Sequence, residues 1–181
     1  MKDKTEFCVE CGSYNIEYVT GPEVVKVRGD EITVNASYWV CKDCNVEFEN
    51  LCDGNDYLAE AYKIYRKKHN MLQPEEIKAL RLKYDLTQVE LAQILGWGLA
   101  TLSRYEKGSL QDFAHDKILK LLKKEPITLL QLLSNDVPDI LGKTKYEKVK
   151  SLCENMIRIK YKCNDCYQSI LDSINSEVYA I

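Results

Sequence analysis

The sequence predicts an α+β chain in which a small four-cysteine β module precedes an all-α helix-turn-helix domain with a helical C-terminal extension. Three observations carry this. Two cysteine pairs, Cys8-Val9-Glu10-Cys11 and Cys41-Lys42-Asp43-Cys44, bracket residues that alternate between apolar and polar. Further on, apolar residues recur at three- and four-residue steps between glycine stops, the pattern of successive short helices. Charge is also divided unevenly: Asp and Glu far outnumber Lys and Arg up to Asp56, whereas the middle of the chain is mixed to mildly basic.

With 181 residues, 45% of them hydrophobic, the chain is long enough for two small cores. A net charge of −3 excludes a protein coated in basic charge, so any affinity for nucleic acid must come from a local patch. No apolar run approaches the ~18 residues of a membrane span. Met1-Lys2-Asp3-Lys4-Thr5-Glu6 is not followed by the apolar segment of a signal peptide. A cytoplasmic protein with no membrane partner is therefore expected. Thiols stay reduced there, so paired cysteines point to metal rather than to disulfides.

Two C-x-x-C turns can aim four thiolates at one tetrahedral centre, which predicts one structural Zn²⁺ per chain held by Cys8, Cys11, Cys41 and Cys44. Four thiolates leave no open position for water, and His69 and His115 lie far along the chain, so a catalytic zinc is not expected. Between the pairs, Asn15–Val19, Glu23–Arg28 and Ile32–Val34 running on to Tyr38–Val40 read as strands, with Gly29-Asp30 as a turn and Val46–Glu49 as a last short strand. Leu58 to His69 reads as a linker helix. Its end, Arg66-Lys67-Lys68-His69, is a basic run suited either to a phosphate backbone or, more commonly, to a solvated helix end.

Pro74-Glu75-Glu76-Ile77 starts the next helix, with a stripe of Ile77, Leu80 and Tyr84. Thr87 and Glu90 form the two ends of a capping box for a helix running to Leu95, and Gly96 permits the turn that follows. A third helix, Leu99 to Lys107, stops at Gly108. With Leu91, Leu95 and Leu102 facing the core, Ala100, Thr101 and Arg104 are expected on the outer face, where a recognition helix meets base edges. Arg104 suits a bidentate contact to guanine, and Gln88 a phosphate. The candidate DNA-contacting set is Gln88, Trp97, Ala100, Thr101, Arg104 and Lys107.

Cys8-x-x-Cys11-Gly12, the second C-x-x-C, Ala61-Tyr62-Lys63-Ile64-Tyr65-Arg66, Pro74-Glu75-Glu76-Ile77, Leu86-Thr87-Gln88 and Ser103-Arg104-Tyr105-Glu106-Lys107-Gly108 occur in that order. In this the chain resembles the MqsA/YgiT family of zinc-finger/helix-turn-helix antitoxins, over roughly the stretch from Thr5 to Gln131; the helix-turn-helix half alone is similar to many Xre-like repressors. The resemblance implies a zinc-stabilised N-terminal domain that can bind a toxin, often an mRNA interferase. It also implies a C-terminal domain that dimerises and represses its own operon through an inverted-repeat operator on double-stranded DNA. Arg104 matches the family's DNA-contacting Arg. Asn45 stands where the family usually has Gly, and Ala100 where members often carry a base-reading Asn.

The domains expected are residues 1–56 (zinc module), 57–73 (helical linker), 74–126 (helix-turn-helix) and 127–181 (extension). In the extension Val149, Leu152, Met156, Ile159, Cys163, Ile170, Ile174 and Val178 fall mostly at helical steps. Such a helix either binds a partner or second copy, or packs back on the core. Cys163-Asn164-Asp165-Cys166 lacks a second ligand pair and reads as reduced thiols; Cys52 and Cys153 carry no pattern. With no phosphate loop, no nucleophile beside a base and no open metal site, the chain is not read as an enzyme. The leading function is an antitoxin-type transcriptional autorepressor. The alternatives are a stand-alone repressor of a mobile element and an adaptor whose zinc module is the main protein-binding surface.

Overall fold

The structure, a computed structural model, describes residues 7–48, 56–133, 141–161 and 169. It divides into two compact units, Met1–Asn70 and Met71–Ile181.

The first unit is a three-stranded antiparallel sheet in the order β1-β2-β3, with β1 at Ile16–Val27, β2 at Asp30–Cys41 and β3 at Glu47–Phe48, followed by helix α1, Tyr57–Lys68. The separate short strands expected before and after Gly21-Pro22 are one continuous strand, Gly21 and Pro22 pairing with Ala36 and Asn35. The proline is tolerated because β1 is an edge strand, where a missing N–H need not break the ladder. The turn is Arg28-Gly29, one residue earlier than expected, with φ of 51° and 94°. Two positive φ values are what a two-residue hairpin turn needs to match the strand twist.

Alternation along β2 sorts the sheet into two faces. One carries Ile32, Val34 and Ala36, all buried, and is covered by α1 through Ala61 and Tyr65. The other is the more open and is held by cross-strand pairs: Tyr18 on Trp39 with ring centroids 4.9 Å apart, and Thr20 on Ser37 at 2.9 Å. Asp56 caps α1 by accepting from the Ala59 N–H at 2.8 Å. At the basic end of α1, Lys67 and Lys68 are exposed, as a solvated helix end requires, and only Arg66 turns inward. Arg66 is buried, and Lys68 and His69 both reach Asp30, at 2.9 and 2.7 Å.

The second unit comprises α2 (Pro74–Lys83), α3 (Gln88–Ile94), α4 (Thr101–Glu106), α5 (Phe113–Lys124), α6 (Pro126–Leu133) and α7 (Lys143–Tyr161). The first three end alike. A residue with positive φ follows each cap: Asp85 (55°), Gly96 (66°) and Gly108 (110°). The next N–H then reaches back to the last turn: Leu86 to the Arg81 carbonyl, Trp97 to Ala92 and Ser109 to Arg104, at 3.3, 2.8 and 3.0 Å. These are Schellman closures, and they reverse the chain sharply enough for short helices to cross. The capping box at Thr87 and Glu90 is present in both directions, at 3.2 and 2.7 Å.

One core runs through this unit. Ile77, Leu80, Tyr84, Leu91, Ala92 and Leu102 pack with Leu119, Leu122, Leu129 and Leu133. Buried polar groups are paired: the Tyr84 hydroxyl donates to the Leu122 carbonyl at 2.7 Å, and Asp116 accepts from the Leu72 N–H at 2.9 Å. The described part of the extension, up to Tyr161, packs back onto the same core. Its inward stripe is Val149, Cys153 and Ile157, all fully buried. The stripe expected through Leu152, Met156 and Ile159 is a neighbouring one, with Ile159 70% exposed. The residues spaced by four win because they sit over the Leu129–Leu133 surface of α6. Cys153 is thus a core residue. Lys145 and Lys148 tie α7 to the α2–α3 corner through Glu90 and Asp85, at 2.7 and 2.6 Å. Cys52, Cys163, Cys166, Ile170, Ile174 and Val178 lie outside the described residues.

Candidate metal centre and nucleic-acid interface

Cys8 and Cys11 sit in the turn before β1, and Cys41 and Cys44 in the turn after β2. Hairpin closure from Ile16–Cys41 to Val27–Asp30 brings the two turns side by side. Each turn has the same local construction. The Gly12 N–H donates to the Cys8 carbonyl and the Asn45 N–H to the Cys41 carbonyl, both at 2.9 Å, with φ of 71° and 57°. Asn45 therefore occupies the left-handed position that Gly12 holds in the first turn, and asparagine is the side chain best able to replace glycine there. The turns are also joined through Asp43, which accepts from the Ser13 hydroxyl at 2.5 Å and the Asn15 amide at 2.8 Å. Those two bonds hold its carboxyl below the usual range.

All four sulfurs lie within 4.8 Å of one another. Cys8 is 3.6 Å from Cys44 and Cys11 is 3.5 Å from Cys41. These distances are far beyond a disulfide's ~2.05 Å, and the thiols are free. Backbone N–H groups of Cys44 and Asp43 point at the Cys41 sulfur and lower its thiol to about 7, whereas at Cys44 the Val46 N–H is outweighed by burial and the neighbouring sulfurs, which push the thiol up to about 12, so the four thiols do not ionise alike without a cation among them. The cluster can hold a metal ion, and among the described residues no other group of three or more Cys, His, Asp and Glu side chains converges in this way.

In the second unit the expected DNA-contacting residues divide. Ala100, Arg104 and Lys107 are exposed along one side of α4. Thr101 is not: it is 8% exposed. The helix begins at Thr101 rather than at Leu99, so its side chain turns inward over Gly98 while Ala100, the N-cap, stays outside. Trp97 is partly buried and stacks on His115 with centroids 4.0 Å apart, while His115 meets the Tyr105 hydroxyl at 2.8 Å. Its ring packs the turn rather than standing free. Gln88 donates to Glu106 at 2.8 Å.

That last bond belongs to a network the sequence reading missed. Arg81 donates to both oxygens of Glu106, from Nε at 2.7 Å and Nη2 at 2.9 Å, and from Nη1 to the Leu86 carbonyl at 2.9 Å. It ties α2, the start of α3 and the end of α4 together. Burial works to raise the Glu106 carboxyl, but the Arg81 and Gln88 bonds outweigh it and hold it below the usual value.

The chain thus carries a four-cysteine sheet module able to hold a metal ion and a helical unit with a helix-turn-helix. The family model described as the antitoxin component of bacterial toxin-antitoxin system, MqsA, matches residues 6–134, and the chain belongs to that family. It is 34% identical over 95 residues to antitoxin MqsA of Escherichia coli (strain K12), an alignment that covers 51% of this chain and 72% of that protein. It is 31% identical over 96 residues to antitoxin PezA of Streptococcus pneumoniae serotype 4, covering 50% of this chain and 60% of that protein. Helix α7 lies beyond the residues the family model matches.

Proposed function

We propose that this antitoxin is a DNA-binding autorepressor. It reads an inverted-repeat operator as a homodimer in the cytoplasm, and its metal-bound N-terminal module offers the surface for a toxin partner. The observation that supports this most is the outer side of α4. Arg104 is exposed one turn after Ala100, on a helix whose placement is set by the buried Arg81–Glu106–Gln88 network. A guanidinium presented there suits the O6 and N7 acceptors of guanine. Gln88 and Lys107 flank it for phosphate contacts, and Trp97 and Thr101 support the reading helix from within. One such helix covers too few base pairs for useful specificity, which is the reason for a two-fold dimer.

The metal fits zinc. A tetrahedron of sulfurs at the ~2.3 Å zinc–thiolate distance has edges of about 3.8 Å, close to the observed 3.5 and 3.6 Å. Cys8, Cys11, Cys41 and Cys44 would hold one ion per chain, and its role is structural. Within this reading the chain has no catalytic centre.

Footprinting of DNA upstream of the chain's own reading frame tests the proposal. Two protected half-sites, with centres about one helical turn or a multiple apart, are expected. Binding no tighter than to scrambled DNA contradicts it.

A further inference from the structure

Two exposed apolar side chains stand in front of α4. Leu99 is 57% exposed, and Ala100 beside it is exposed as well. An exposed leucine adds little to the stability of the free protein, because most of its surface stays in water. Gly98 before them has no side chain, Thr101 after them is turned inward, and Trp97 is held against His115. The leading edge of the helix is therefore apolar, and no polar side chain from residues 97–101 projects there. One and two turns further on, Arg104 and Lys107 supply positive charge on the exposed side. Cationic groups behind an apolar tip complement a DNA major groove in which phosphates flank a methyl group.

We infer that Leu99 and Ala100 are specificity residues that read the 5-methyl group of thymine, within one or two base pairs of the guanine read by Arg104. The inference rests on the proposed DNA-reading role of α4 and deepens it. Ala100, the N-cap, stands four residues before Arg104, a step of about 5–6 Å on a helix, and Leu99 is the residue next to it. The base pairs of a duplex rise 3.4 Å each, so the two contacts fall on adjacent or next-adjacent pairs. Thymine is the one base that offers an apolar group at the major-groove edge. A leucine placed against cytosine or adenine would bury their amino donors without a partner, which penalises those bases.

The test selects binding sites from random duplex DNA with the full chain. It then replaces each selected thymine with deoxyuridine, which keeps every hydrogen-bonding group and removes only the methyl. At one thymine per half-site, near the selected guanine, parent protein should lose about fourfold in affinity for each half-site replaced, the value of one buried methyl group. Leu99→Ala should bind the thymine site more weakly and show a much smaller deoxyuridine penalty. The inference is overturned if parent binds deoxyuridine sites as tightly as thymine sites, if Leu99→Ala keeps the full penalty, or if selected sites have no thymine within two base pairs of the guanine. In each of those cases DNA reading by α4 still stands. If no sequence is selected at all, that underlying role fails, and the inference with it.

Discussion

Glu106 receives Arg81 through both carboxylate oxygens, at 2.7 and 2.9 Å, with side chains only 3% and 10% exposed. The pair fixes the end of α4 against α2, and Gln88 adds the start of α3. Removing one partner of a buried ion pair leaves the other without compensation. Glu106→Gln should therefore lower the unfolding free energy of the second unit by about 3 kcal/mol. Arg81→Met combined with Glu106→Leu should cost less than the sum of the single changes, because the two residues act as one. Urea titrations of Arg81→Met, Glu106→Leu and the double variant measure this; strictly additive losses would show that the pair is not coupled. The sign of the pH dependence follows. The folded Glu106 carboxyl titrates below its ordinary 4.5, so its contribution is present above that pH and is lost as pH falls through the lower folded value. Glu76, Glu90 and Asp85 shift in the same direction, so stability should hold from neutral pH to about 5 and decline below about 4.5.

Metal removal should act on one unit. Trp39 lies in β2 and Trp97 beside α4, so each unit carries one reporter. In a Trp97→Phe variant, a strong chelator should shift Trp39 emission to that of unfolded chain. In a Trp39→Phe variant, Trp97 emission should be unchanged. A small module with few buried apolar residues draws much of its folding energy from the metal. Elemental analysis should give one zinc per chain, and an N-terminal module that stays folded with no metal would contradict the assignment.

Asn45 is held at φ 57° beside a proposed ligand. Asn45→Gly should leave the thermal midpoint and the metal affinity nearly unchanged. Asn45→Val should destabilise the first unit by about 1–2 kcal/mol, because a β-branched side chain is strained in that region. A melt of the metal-loaded protein distinguishes them. Equal behaviour of the two variants would mean that the left-handed turn is not required.

The fully buried stripe of the extension should matter most for folding. Ile157→Ala should cost about 2–5 kcal/mol, the range for truncation of a buried isoleucine. Ile159→Ala, at a position 70% exposed, should change stability by less than about 0.5 kcal/mol. The two urea midpoints decide between the packed stripe and its neighbour.

Much of this was legible in the sequence wherever local chemistry sets the structure. The cysteine pairs, the Thr87–Glu90 box and Gly96 each specify their own turn, and all three are found as read. What escaped depends on tertiary partners. Gly21-Pro22 looks like a turn until β1 is known to be an edge strand. Arg66-Lys67-Lys68 reads as a solvated helix end, which holds for Lys67 and Lys68, but α1 lies on the sheet and buries Arg66. Thr101 was misplaced because α4 begins two residues later than its apolar pattern suggests, which rotates the expected face. Val149 starts two nearly equivalent stripes, and only the surface of α6 buries Cys153 and Ile157 fully while Met156 packs at its margin and Ile159 is left exposed. The Arg81–Glu106 pair spans 25 residues, a separation at which sequence pattern gives no signal.

The central claim, that α4 reads DNA through Arg104, is tested most directly by titrating parent and Arg104→Ala protein against operator and scrambled duplex at fixed salt. The side chain is exposed, so circular dichroism of the variant should match the parent. A lost guanine contact costs about 1–3 kcal/mol per half-site. A dimer loses two, so operator affinity should fall roughly a hundredfold, while scrambled DNA is affected far less. A folded Arg104→Ala protein that binds operator as tightly as the parent would show that this helix is not the reading element.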